Sequence, residues 1–315
     1  MNILFAGILP AFSLNLWQDV QAMLNYDFMR QALLAGTILS LVAGLVGYFV
    51  VLRHQAFAGE ALSDVAFTGA LGGAALGFNP LLSLLVTTVA VALAMGGLGE
   101  RLRGRDVAVG IVLSWVLGLG VLFLYLFTSQ VSGTGTGFSG ITVLFGNILG
   151  ISNSQLGIIA ITSTLALLML VLIARPLLFA SLDPDVAAAK GIPVRALGLG
   201  FMALLAITVS EATLAVGALL VLALLLLPAA IAQQVTIRPY AALALSAGLA
   251  IAMTWMGITI GFYTGYPSSV CISLLAFASY VAVIGGSALA RRLNRAISIE
   301  GREATRQLAG KKQTW

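Results

Sequence analysis

The stretch QALLAGTILSLVAGLVGYFVVL, residues 31–52, contains no Asp, Glu, Lys or Arg. At a rise of about 1.5 Å per residue, roughly 20 apolar residues in a helix span the hydrocarbon of a bilayer, so this run reads as a membrane crossing. The pattern extends outward: 65–99, 107–174, 212–237 and 239–290 are also uncharged, and the longer of them must turn within themselves. Strand-like alternation is absent, which argues against a β-barrel and leaves helices to satisfy the backbone amides. With 315 residues, 60% hydrophobic and 9% charged, the chain reads as an all-α polytopic membrane protein.

Breaking the runs at Gly, Pro and Asn clusters predicts about nine spans, with eight to ten compatible with the pattern: 31–52, 56–77, 80–98, 107–128, 154–174, 194–210, 213–232, 240–261 and 268–289. Basic residues near span ends are retained in the cytoplasm. With the segment before the first span outside, fifteen of the sixteen Lys and Arg residues fall inside, and only Arg30 falls outside. The C-terminus is then cytoplasmic. The organisation expected is an external or interfacial segment over 1–30, a membrane domain over 31–289 and a basic cytoplasmic tail over 290–315. Residues 3–18 suit the membrane surface. The tail suits anionic headgroups or an acidic partner, or serves only as a topology signal. Asp19 and Asp27 without a basic leader argue against a cleavable signal peptide. The net charge of +5 is explained by topology and gives no argument for nucleic-acid binding.

Several activities have no support in the sequence. The phosphate-cradling G-x-x-x-x-G-K-[ST] pattern is missing, so the chain does not hydrolyse ATP by itself. No loop approaches the roughly 50 residues of a soluble catalytic domain. A single cysteine, Cys271, excludes an internal disulfide and a cysteine cluster for metal. No nucleophile and base stand together, so an enzyme is not expected, nor is a tightly bound cofactor.

One loop is organised. In SLDPDVAAAKGIPV, residues 181–194, Asp183 suits an N-cap and Pro184 the first helical position; Asp185 and Lys190 match the helix dipole. Gly191 suits a left-handed C-terminal position, and Pro193 stops continuation. A helix of about two turns is too short to be stable alone. It reads equally as a receiver for a separate motor subunit and as an ordered turn. Elsewhere, 128–150 reads as an external loop or a re-entrant segment, Pro228 as a helix kink, and 262–270 as an external turn.

Eight of the eleven acidic residues lie in loops or tails, leaving Glu60, Asp64 and Glu211 at or within spans. A charge at the bilayer centre costs about 2.5–3.5 kcal/mol on insertion scales, so one that persists faces a cavity, a partner or an ion. Glu60 and Asp64, at i and i+4, share a helix face on which like charges repel. A divalent cation would relieve that repulsion, and Asp64, roughly 12 Å along a helix starting at 56, lies at a depth that suits a transport site. Three other readings fit: Glu60 paired with Arg53, Asp64 protonated in a helix interface, or both on a proton path. Glu211 is expected in a solvated external turn between 210 and 213. His54, the only histidine, is expected at the end of the first span rather than as a ligand.

Five blocks now carry a resemblance: VVLRHQAFAGEALSDVAFTGALGGAALG (50–77), GRDVAVGIVLS (104–114), LDPDVAAAKGIP (182–193), VGALLVLALLLLPAAIA (216–232) and YPSSVCISLL (266–275). In this order they resemble the membrane permeases of the ATP-binding-cassette importers for zinc, manganese and related divalent metals. The resemblance covers most of residues 30–288. It implies a type II importer-like permease in a bacterial cytoplasmic membrane, working as a homodimer with the path between its copies. It also implies a cytoplasmic ATPase docked at 183–192 and an extracellular or periplasmic metal-binding protein that delivers cargo. By the same resemblance Glu60 contacts metal, as does Asp64, which stands where the family usually has His. A carboxylate in place of imidazole hardens the site, favouring manganese or ferrous iron while zinc remains in contention. Ser269 is a second departure, standing where the family has Gly. Two alternatives stay open: a stand-alone proton-coupled transporter using the same carboxylates, and a related permease for a chelated metal or cofactor.

Overall fold

An amide buried in hydrocarbon has no water to bond, so a crossing segment must close its hydrogen bonds within itself. In the computed structural model, which describes residues 24–99, 105–130, 146, 148–218 and 221–287, every described element is accordingly helical. These are α1 (Asp27–Leu52), α2 (Ala56–Ala75), α3 (Pro80–Gly99), α4 (Arg105–Gln130), a 3-10 turn at Ile148–Gly150, α5 (Asn153–Leu182), α6 (Pro184–Ala189), α7 (Val194–Val216), α8 (Val221–Val235) and α9 (Pro239–Thr264). A further helix, α10, covers Ser268–Ser287. The chain divides into two compact units, the first ending at Ala276; of the second, residues 277–287 are described and are all helical.

Seven of these helices, α1, α3, α4, α5, α7, α9 and α10, are long and apolar enough to cross a membrane. The other two predicted windows fall on α2, whose hydropathy is lowered by its carboxylates, and on α8, which is apolar but has only 15 residues. The predicted surface segment 3–18, most of 128–150 and the tail from 290 lie outside the described residues.

In the first unit α1 packs against α9, α8, α5 and α7, while α2 packs against α3, α4 and α7. Small residues set the α1 contacts. A methyl at Gly44 would stand 2.8 Å from the Ala247 Cα of α9, and one at Gly47 would overlap the Leu225 carbonyl of α8. Close approach lets polar groups bond across helices: Ser246 Oγ donates to the Gly44 carbonyl at 2.6 Å, Gln233 Nε2 to the Tyr48 carbonyl at 3.0 Å and Trp255 Nε1 to Thr37 Oγ1 at 2.8 Å. Such bonds and tight packing stand in for the hydrophobic drive that lipid does not supply between helices.

Two boundaries correct the sequence reading. The fifth span was expected to end at 174, before Arg175, but α5 continues through Pro176 to Leu182. Ser152 closes a capping box with Gln155 at its start, and tertiary packing buries Leu177 and Leu178 beyond the proline. The turn predicted between 210 and 213 is not there: α7 runs on to Val216 and ends at Gly217, whose φ of +94° favours glycine.

Gly47→Val is expected to destabilise the fold by about 1–3 kcal/mol, because the added atoms meet backbone that cannot move aside. Gly97→Ala, which meets nothing within 4 Å, should be neutral. Thermal unfolding of the purified variants in lipid nanodiscs compares the two directly.

Candidate functional site

The sequence of α2 is rich in Gly and Ala, and the helix is enclosed on most sides. Ala61, Leu62, Ser63, Val65 and Ala66 are buried, leaving a narrow accessible stripe formed by Phe57, Glu60, Asp64 and Phe67. Glu60 is exposed and Asp64 half-buried, one turn apart as the i, i+4 spacing requires. Ser63, on the buried side, turns its hydroxyl back to the Glu60 carbonyl at 2.8 Å, which leaves both carboxylates free of it. Two carboxylates therefore share one face, too few by themselves to enclose a divalent ion. Among the described residues no three His, Cys, Asp or Glu side chains come together as a metal-holding group.

The turn into α2 is distinctive. His54 takes a φ of +53°, a conformation uncommon for a residue with a side chain. Beside it Arg53 points away along the neighbouring helices, donating to Ser181 Oγ of α5 at 3.3 Å and lying 5.5 Å from the centroid of the Phe201 ring of α7. Phe201 in turn meets Phe49 of α1 edge-on. The sequence reading did not foresee these contacts, because Ser181 and Phe201 are more than a hundred residues from Arg53.

Ser181 precedes the short helix α6 by three residues. As the residue types predicted, the Val186 amide donates to Asp183 Oδ1 at 3.0 Å, Pro184 is the first helical residue and Asp185 lies in the first turn. Lys190 occupies the C-cap with its ammonium 5.1 Å from the Phe179 ring centroid, and Gly191 has a φ of +77°. Asp183, Pro184, Asp185, Val186, Lys190 and Gly191 are exposed, whereas Ala187 is buried and pins the helix to the rest of the unit.

Glu211 requires correction. It is not in a solvated turn but inside α7 at 3% exposure, with Ser163 of α5 donating to its Oε2. The hydroxyls of Thr208, Ser210 and Thr213 around it were the available signal of burial, since they supply polar company within an apolar helix. Ser163→Ala should remove the hydrogen bond to Glu211 Oε2 and destabilise the protein by about 1–3 kcal/mol. Thr164→Ala, which removes only a bond to the Ala160 carbonyl of its own helix, should have little effect. Chemical or thermal unfolding of the pair in the same lipid is the check.

A bundle of apolar helices, with a carboxylate stripe on one of them and a capped helix between two others, defines an integral membrane protein of the transport class. The chain belongs to the ABC 3 transport family, whose model matches residues 25–286. It is 32% identical over 255 residues to the manganese transport system membrane protein MntC of Halalkalibacterium halodurans, covering 81% of this chain and 85% of that one. The high-affinity zinc uptake system membrane protein ZnuB of Haemophilus influenzae is 31% identical over 237 residues, covering 75% and 87%. Among solved structures, PsaBC from Streptococcus pneumoniae in complex with Fab superposes with a TM-score of 0.73 at 25% identity, covering 85% of this chain and 94% of that one.

Proposed function

We propose that the chain is the permease subunit of an ATP-driven importer that moves a divalent transition metal ion across the cytoplasmic membrane, with its C-terminus in the cytoplasm. The observation that carries this reading is the pair Glu60 and Asp64 on the one accessible stripe of α2. The relatives named for manganese and for zinc support the choice of cargo. One copy offers two carboxylates, so a homodimer that faces two stripes across a common path would supply four, whose oxygens suffice for the six or so that a hard cation takes. The all-oxygen set favours manganese or ferrous iron over zinc. A transport site must also release its ion, and half-exposed carboxylates without further protein ligands suit weak, reversible capture. The metal is cargo here and is not a resident cofactor.

The exposed face of α6 is the docking surface for a separate cytoplasmic ATPase. Asp183, Pro184, Asp185, Lys190 and Gly191 fix its shape, and a metal-binding protein delivers cargo on the opposite side. Nucleotide-driven movement of α6 reaches the start of α2 through Ser181, Arg53 and the α1–α2 turn. Its effect is to change which side of the membrane the carboxylate stripe faces.

With the ATPase and ATP present in liposomes, Glu60→Gln with Asp64→Asn should abolish manganese uptake while the complex still assembles. Uptake equal to the unmodified complex would overturn the site. Asp183→Ala removes a helix cap worth about 1 kcal/mol and should weaken ATPase association. Metal binding in the absence of nucleotide should be unchanged, so pull-down and calorimetry on one preparation separate the two effects.

A further inference from the structure

One buried acid has no part in the metal path or in the docking helix. Glu211 borders a cavity of about 110 Å³ between α3, α5 and α7, lined also by Leu84, Ile159, Thr162, Ser210 and Leu214. Ser163 donates to Oε2 of this carboxylate, while Oε1 is buried without a hydrogen-bond partner. A second buried oxygen on the cavity wall, Ser210 Oγ, also has none. Hydroxyls in apolar helices ordinarily bond back to a carbonyl one turn earlier, as Thr162 does to Ile158 at 2.8 Å and Thr208 to Leu204 at 2.9 Å. Ser210, which lines the cavity together with Glu211, departs from that habit. Buried polar groups are rarely left so, and each costs about 1–3 kcal/mol.

We propose that this cavity takes up one monovalent cation at Glu211 Oε1, with Ser210 as a supporting ligand, at a site separate from the divalent cargo. The charge balance sets the class of ion. Among the described residues Glu211 is the only ionisable one lining the cavity, so one positive charge neutralises it, whereas a divalent ion would leave a charge uncompensated among Leu and Ile side chains. All the donors are oxygen, which excludes ions that require thiolate or imidazole. Either a proton or a sodium ion supplies that single charge.

Among the described residues no other titratable group lines the cavity. α3 and α8 carry none, and α5 carries only Arg175, about 18 Å along the helix from Ser163. The remaining elements packed on α7 contribute Glu60 and Asp64 from α2, Asp27, Arg30 and Tyr48 from α1, and Asp183, Asp185 and Lys190 from α6, with Arg195 on α7 itself; none of these lines the cavity. Leu84 of the cavity wall packs with Ala66 and Ala70 of α2, and Leu214 packs against that cluster. One layer of side chains thus separates the ion from the turns of α2 that follow Asp64. Occupancy is positioned to set how α2 seats against α3 and α7.

The test is thermal unfolding of the full chain in lipid nanodiscs, with sodium chloride exchanged for choline chloride at constant ionic strength, repeated over about pH 5 to 8. The unmodified protein should show a midpoint that rises with sodium or with acidity, and Glu211→Gln should remove that component. The sodium series and the pH series tell the two ions apart. Ser210→Ala keeps the carboxylate and should weaken the apparent affinity by about three- to tenfold, which carries the comparison even where Glu211→Gln yields no folded protein. The proposal is overturned if the unmodified protein responds to neither ion or if Glu211→Gln keeps the full response. A response to manganese that depends on Glu211 and not on Glu60 and Asp64 overturns it as well.

Discussion

In hydrocarbon a polar group without a partner has no water to fall back on, and this one constraint orders the molecule from its helices to its charges. Backbone amides are paired within helices. Helices then gain little from burying apolar surface against one another, so α1 is held to α8 and α9 by backbone approach at Gly44 and Gly47 and by the Ser246, Gln233 and Trp255 hydrogen bonds. Under the same constraint an acidic side chain has to be accounted for, and Glu60, Asp64 and Glu211 are accounted for differently. The first two lie on an accessible stripe, and the third is enclosed with a serine.

Much of this was legible in the sequence because it is local. The uncharged run at 31–52 reports α1, extended at its start to Asp27, and the order Asp183, Pro184, Gly191 reports the limits of α6, since caps and turns act over a few residues. The face shared by Glu60 and Asp64 follows from helix geometry alone. What failed depends on distant contacts. Arg175 looked like the end of a span, yet α5 continues because Leu177 and Leu178 are buried. Glu211 looked like a turn because its partner, Ser163, lies 48 residues away on another helix, and a lone carboxylate in a sequence does not reveal who faces it. The bridge from Arg53 to Ser181 and Phe201 was hidden for the same reason.

The short helix α6 and the carboxylate stripe occupy the two ends of one set of contacts, through Ser181 and Arg53 to the strained turn at His54. In the proposed importer that continuity lets a push at the membrane surface reorient a weak metal site without remaking the bundle. In that proposal the economy of charge follows from separate roles: two carboxylates for cargo, capping groups for docking, and one enclosed acid whose neighbours are leucine, isoleucine and hydroxyls.

The central claim is that cargo metal touches the α2 carboxylates, so exchanging one ligand should change which metal passes. The most direct measurement is competitive uptake of manganese and zinc by the complete complex in liposomes, comparing the unmodified permease with Asp64→His. An imidazole at this position softens the site and should raise zinc uptake relative to manganese. An unchanged ratio, with both metals still transported at the original rates, would contradict the account.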